Sequence, residues 1–154
     1  MDQPIELRRA AAADAAAIRA LVREAYAKWV PLIGREPLPM TADYDRAVLE
    51  HRIDLLLVEG ALAGLIETVD EGDQLLIENL AVAPAFQRRG LGRMLLTHAE
   101  QLARDAGKPR LRLYTNRRFE ENVRLYSSLG YAIDREEDLG FAVAVHMSKT
   151  PAGC

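Results

Sequence analysis

Apolar residues recur along this chain with two periods, and the switches between them mark the elements. Ile18, Leu21, Val22, Ala25, Tyr26 and Trp29 fall three or four residues apart, the spacing of one helical face. Asp14 stands where a side-chain oxygen can cap that helix. A weaker stripe of Tyr44, Ala47, Val48 and His51 predicts a second helix over 43–51. Between them PLIGREPLPM, 31–40, carries three prolines and reads as a loop. Ile5 to Arg8 reads as a short leading strand, and DLLLVE (54–59) with LAGLIETV (62–69) flanks Gly60 as a hairpin. After a turn at 70–73, QLLIENLAV (74–82) is too apolar for a wet edge and predicts a central strand.

Pro84 ends that strand, and Leu91, Leu95, His98, Leu102 and Ala106 form the stripe of the next helix, which Gly107 and Pro109 stop. RLRLYT (110–115) reads as a strand and FEENVRLYSSLG (119–130) as a helix closed by Gly130. YAIDREE (131–137) and FAVAVHMSK (141–149) supply two last strands. Strand 74–82, its helix and strand 110–115 make a βαβ unit, whereas the other neighbours look like hairpins. The prediction is an α/β domain over 1–150, a mixed and mostly antiparallel sheet with helices on both faces, and a flexible tail at 151–154.

Length and composition narrow the function classes. A chain of 154 residues that is 49% hydrophobic and 28% charged fits one globular domain and excludes disordered and low-complexity classes. The net charge of -3 removes the electrostatic ground for expecting nucleic acid or an anionic membrane as partner. The single cysteine, Cys154, excludes an intramolecular disulfide and fits a reducing, cytoplasmic setting. Asp2 opens a segment without the continuous apolar stretch of a signal peptide, and no membrane-spanning run is visible. His51, His98 and His146 lie far apart without partners at metal-ligand spacing, so no metal is expected.

The stretch that carries chemistry is ENLAVAPAFQRRGLGRMLL, 78–96. Gly90 and Gly92, where a helix begins, let a ligand approach the backbone closely, with outward N–H groups and the positive end of the helix dipole behind them. Arg88, Arg89 and Arg93 add three cations, which suits a di- or tri-anionic ligand better than one carboxylate. Taken alone the glycine pair also fits a plain turn with a solvated arginine rim. Arg93 and Met94 follow Gly92 where a P-loop needs Lys and then Ser or Thr, and neither Arg93 nor Leu95 supplies a third glycine for a dinucleotide fingerprint.

Gln87, Arg88, Arg89, Gly90, Leu91 and Gly92 match the acetyl-CoA signature of the GNAT-type N-acetyltransferases at every defined position, and the chain resembles that family from Ile5 to Lys149. The preceding ENLAVAP and the downstream NVRLYSSLGY match as well, in the right order. The resemblance implies the GNAT fold and acetyl-CoA as co-substrate. It implies an N-acetyltransferase acting on a primary amine of a small molecule or peptide by direct attack in a ternary complex. It also implies that the backbone of Leu80, Ala81 and Val82 pairs with the pantetheine arm along a bulged, splayed strand, that the amides from Arg88 to Arg93 wrap the pyrophosphate, and that the Leu80 N–H meets the developing oxyanion.

Under the same resemblance Tyr126 is the general acid for the leaving thiolate and Asn122 bonds the cofactor arm. Periodicity alone also accommodates Tyr126 as a core aromatic with Phe119 and Val123, and Asn122 as a helix-surface residue. Glu78, a carboxylate inside an apolar strand, is the candidate base, the alternative being a partner for an arginine across the sheet. Strand period puts it on the face of Leu80 and Val82 unless a bulge intervenes. Trp29, Tyr44, the neighbourhood of Glu67 and the 30–40 loop are the expected acceptor walls. A silent CoA-binding module on the same fold is the alternative function, and a homodimer through sheet edges is the family's common assembly.

Overall fold

The computed structural model describes residues 4–151, a seven-stranded sheet in the order β1-β2-β3-β4-β5-β7-β6 with helices on both faces. The strands are β1 (Ile5–Arg9), β2 (Arg52–Val58), β3 (Ala61–Asp70), β4 (Gln74–Val82), β5 (Arg110–Asn116), β6 (Ala132–Asp138) and β7 (Val143–Lys149). The helices are α1 (Ala15–Tyr26), α2 (Val30–Ile33), α3 (Tyr44–Glu50), α4 (Leu91–Asp105) and α5 (Glu120–Ser128). All pairings are antiparallel except β4 with β5, the parallel step that α4 connects.

Alternation along the strands separates two cores. Ile66, Leu75, Ile77, Leu111, Leu113 and Met147 meet Leu91, Leu95, Leu96 and Ala99 of α4 and Tyr126 of α5. On the other face Ile53, Leu55, Leu65 and Ala81 meet Ile18, Leu21, Val22 and Ala25 of α1 and Tyr44 of α3. The turn between β2 and β3 needs positive φ at both Glu59 (50°) and Gly60 (82°), the geometry of a two-residue hairpin turn. Gly64 of β3 is small for a packing reason, since a Cβ there would lie 2.9 Å from the Ala81 carbonyl oxygen and 3.2 Å from Leu95 Cδ1. α4 therefore sits close on the sheet beside the end of β4.

Three local expectations change. The 31–40 loop contains α2 and a 3-10 turn at Leu38–Thr41, because Pro31 fits the first turn of a helix and Gly34, with φ 73°, closes it. Asp14 does not cap α1 through its side chain; the carboxylate turns back to the Ala11 N–H at 2.7 Å and to Arg8 at 3.0 Å. Those bonds, led by the one from Arg8, lower its pKa to about 2. On α4, Leu96, Ala99 and Ala103 are fully buried where the expected stripe placed His98 and Ala106, a shift of the buried face by one position. Of the tail expected at 151–154, Pro151 is buried and 152–154 lie outside the described residues.

The register positions the site. β4 pairs with β5 only from Gln74–Arg110 to Ile77–Leu113, while β4 stays paired with β3 as far as Val82 and β5 with β7 as far as Asn116. Past Ile77 the two central strands diverge and leave one edge of β4 unpaired. The divergence begins at a bulge: Thr68 faces Ile77 and Glu67 faces Asn79, so Glu78 has no partner on β3.

Candidate active site

The bulge changes the phase of β4. Ile77 and then Leu80 and Val82 pack toward α4, whereas Ala81 joins the core under α1 and Asn79 bonds to residues of α1 and α3. Glu78 leaves the face of Leu80 and Val82 and reaches Tyr114, whose hydroxyl donates to its Oε1 at 3.0 Å. The alternative of an arginine partner is not what the structure holds. Burial raises the Glu78 pKa, with the Tyr114 hydrogen bond opposing and the neighbouring Glu67 reinforcing the shift. Burial and Glu67 together bring the carboxylate nearer to the pH at which a base works best.

Between the splayed strands runs a cleft of about 480 Å³, lined among others by Glu78, Leu80, Asn122 and Tyr126. Tyr126 is 7% exposed and meets Tyr131 edge to face at 5.9 Å. It is both a core aromatic and a wall of the cleft. Burial pushes its phenol up to about 12, so the hydroxyl keeps its proton at neutral pH.

At one end of β4 the chain makes the glycine turn. The Gln87 side chain donates to the Val82 carbonyl at 3.0 Å and braces the turn against the strand end. Arg88 takes φ 64° and Gly90 φ 78°, and Gly90 occupies the N-cap of α4 with no side chain bonding the first-turn amides. A Cβ on Gly92 would meet nothing within 4 Å, so open space lies over the first turn. Leu91 is buried and anchors the turn, while Arg88, Arg89 and Arg93 are exposed, with the Arg89 guanidinium 5.3 Å from the Phe86 ring centre. The residues from Gln87 to Arg93 thus form a separate cradle and do not line the cleft. Uncapped amides at the positive end of a 15-residue helix, flanked by arginines, suit a pyrophosphate.

Tyr26, Asn79 and His51, not expected at the site, join the expected Tyr44 and Glu67 at the other end. Tyr26 of α1 donates to Asn79 Oδ1 at 2.8 Å and lies 3.2 Å from the Leu80 carbonyl. Asn79 donates to the Tyr44 hydroxyl at 3.1 Å, which donates to the Pro39 carbonyl at 2.6 Å. This chain locks the bulge onto α1 and α3. Glu67, 4% exposed, holds His51 with Oε2 2.6 Å from Nδ1, and both line the cleft. Tyr44 and Glu67 are walls as expected, but Trp29 is not: its ring stacks on Phe119 at 4.3 Å, outside the lining. Adjacent polar residues Glu78 and Asn79 inside an apolar strand were the available signal for the bulge, since two in a row break a period of two.

Among the described residues no three of His, Cys, Asp and Glu come together as a metal site, and no helix is long and apolar enough to cross a membrane.

Residues 16–131 match the model of the Acetyltransferase (GNAT) family. The chain belongs to the GNAT family. Solved GNAT structures superpose on nearly all of it. The PaiA N-acetyltransferase of Thermoplasma acidophilum, in complex with coenzyme A, aligns with a TM-score of 0.84 at 19% identity, covering 96% of this chain and 99% of that one. The ribosomal-protein-S18-alanine N-acetyltransferase of Escherichia coli aligns with a TM-score of 0.75 at 22% identity, covering 98% and 96%. By sequence, the [ribosomal protein bS18]-alanine N-acetyltransferase of Salmonella typhimurium is 42% identical over 59 residues. That segment is 38% of this chain and 40% of that enzyme.

Proposed function

We propose that residues 1–150 form one acetyl-CoA-dependent N-acetyltransferase domain that acetylates a primary amine of a small molecule or peptide by direct attack. The observation that carries this is the arrangement around β4: an unpaired strand edge, an uncapped glycine turn at its end, and Glu78 and Tyr126 lining one cleft. An unpaired edge is complementary to an extended chain with two amides such as pantetheine. The open space over Gly92 and the free first turn of α4 fit the pyrophosphate. When bound, acetyl-CoA supplies the activated acetyl carbon.

In this reading Leu80 and Val82 align the arm through their backbone, Ala81 fixes the strand in the core beneath, and Asn122 bonds the arm from the opposite wall. Arg88, Arg89 and Arg93 offset the phosphate charge around the amides of Gly90 to Arg93, and Gln87 and Leu91 hold the turn. Glu78 accepts a proton from the acceptor ammonium, which frees the lone pair for attack. The Leu80 N–H stabilises the oxyanion while the new C–N bond forms. Tyr126 donates its proton to the sulfur as the C–S bond breaks. The second proton leaving nitrogen returns Tyr126 to its neutral phenol, and Glu78 gives the first to solvent, so one proton is released overall.

The setting proposed is the cytoplasm, in keeping with the single cysteine. Assembly as a homodimer belongs to the same proposal; β1 is an outer strand whose Ile5 and Leu7 are 46% and 37% exposed, and light scattering in solution tests it. The deciding experiment for the function is thiol release from acetyl-CoA across a panel of primary amines, beside the thermal midpoint with and without CoA. Ligand at about one hundred times its Kd stabilises by about 2.7 kcal/mol. No shift at millimolar CoA would remove the cofactor site, and a shift without turnover on any amine would leave a silent CoA-binding module.

A further inference from the structure

The acceptor end of the cleft is charged at its floor and apolar over part of its rim. Glu67, 4% exposed, bonds His51 at the floor, with Glu78 one bulge position away across the β3–β4 pair. On one side the rim carries the exposed Asp43, Arg46 and Glu50; its apolar part is Leu38, from the 3-10 turn after α2, and Leu139 and Phe141, from the β6–β7 turn, which line the same cleft at 56%, 42% and 56% exposure. Side chains this apolar and this exposed around one opening cost free energy unless something covers them. The Arg35 guanidinium stacks on the Phe141 ring at 4.2 Å and joins the two sides. No carboxylate pairs with Arg35 among the described residues.

Charge complementarity selects among amines. The two carboxylates at the floor attract one ammonium. A free amino acid would bring its α-carboxylate, two bonds from that nitrogen, against Glu67 and Glu78. The cleft's other carboxylates are already engaged, Asp43 by the Arg46 N–H at 3.2 Å and Glu50 by the Arg46 guanidinium at 2.7 Å, so a polyamine or aminoglycoside would place its further ammonium groups on the apolar rim, beside the unpaired Arg35, or in competition with Arg46, losing hydration for little in return.

We infer that the acceptor is a primary monoamine with an apolar body and no second charge near the nitrogen, its ammonium at the Glu67–His51–Glu78 floor and its body against Leu38, Leu139 and Phe141. This rests on the acetyltransferase reading and names the acceptor class for it. The chemistry is shared by alkyl or arylalkyl amines and by the free N-terminus of a peptide that opens on apolar residues.

The test is kcat/KM for thiol release with ethylamine, hexylamine, 2-phenylethylamine, alanyl-phenylalanine amide, spermidine, kanamycin and free phenylalanine, on wild type and on a Leu38→Ser/Phe141→Ser double variant. Expected is a rise from ethylamine to hexylamine of up to about fourfold for each methylene buried. Spermidine, kanamycin and phenylalanine should fall below hexylamine by about tenfold or more, the cost of stranding one charge. In the double variant the hexylamine-to-ethylamine ratio should drop by about fivefold or more, since the rim that covers the methylenes is gone. Whichever of the two amines or the peptide amide gives the higher kcat/KM identifies the source. Spermidine or kanamycin outrunning hexylamine, or an unchanged ratio in a folded double variant, overturns the inference and leaves acetyl transfer standing. Retained thermal stabilisation by CoA with no apolar amine acetylated also overturns it, whereas loss of that stabilisation takes down the reading beneath it.

Discussion

The glycine turn and the floor around Glu67 adjoin the same strand, yet one is written in six consecutive residues and the other draws His51, Glu67, Glu78 and Tyr114 from separate elements. The turn acts through backbone amides, so its requirement on side chains is chiefly that Gly90 adopt φ 78° and that Gly92 carry no bulk. The floor acts through side chains that hold one another, Tyr114 on Glu78 and His51 on Glu67. A backbone site tolerates substitution around it and serves one invariant ligand. A side-chain site is coupled, so a change at one residue is felt at its partner, and it can be retuned to a new acceptor.

That contrast can be broken at several points. The largest effect is expected for Tyr126→Phe, which keeps the ring packing against Tyr131 and removes the proposed proton donor. Turnover should fall by roughly 10² to 10⁴, with the CoA dissociation constant unchanged in calorimetry. A variant that turns over at the wild-type rate would move the acid elsewhere.

Glu78→Gln comes next, with a loss of about 10² near neutral pH. Because the folded pKa is raised, the wild-type rate should climb with pH as the carboxylate ionises. That limb should vanish in the variant, whose rate follows the amine's own deprotonation into the alkaline range. The stability sign is opposite to that of a paired carboxylate. The ionised form is the one the fold disfavours, so the wild type loses stability as pH rises from the ordinary glutamate value through the raised one. Glu78→Gln should therefore melt no lower than wild type at pH 7, and a lower midpoint would mark a structural glutamate.

At the other end Gly92→Val should weaken CoA by about tenfold or more, because a branched side chain fills the space that amide and phosphate share. The unliganded melting temperature should hold, since that Cβ meets no protein atom. The smallest effect is expected from Arg89→Ala, about 1 kcal/mol in CoA binding for an exposed cation, shrinking further with added salt. Should Arg89→Ala outweigh Gly92→Val in calorimetry, the cradle works through side-chain charge and the contrast between the two ends fails.

The elements were legible because their causes are local. β4 spans the predicted 74–82, and the parallel step follows from one helix-length connection. The cradle was legible for the same reason, since a turn and a helix start are short-range events. The tyrosine chain from Tyr26 to Pro39 was hidden because it joins residues up to 54 positions apart, and Tyr26 and Tyr44 each sit in an apolar stripe that already explains them. Tyr114 was hidden by parity: it shares the face of Arg110 and Arg112 as any surface residue of β5 would, and the hydrogen bond from its hydroxyl to Glu78 forms where β4 is bulged. Trp29 misled because a large aromatic at helical spacing fits a cleft wall and a stack on Phe119 equally well.

The unpaired residue at position 78 works as a frame shift inside the strand. Because it is bulged out, Ile77 and Leu80 look the same way although three positions separate them; were the same residues to run as a regular strand, inside and outside would be exchanged from residue 79 onward. Ala81 would then face α4, while Leu80 and Val82 would be driven into the core beneath α1. The strand thus carries one residue more than its partner over this span and keeps its two faces in phase only because that residue is bulged out. Deleting Glu78 itself would straighten the strand with both faces kept and lose only the carboxylate, whereas a one-residue insertion or deletion that leaves the bulge in place would exchange the faces beyond it.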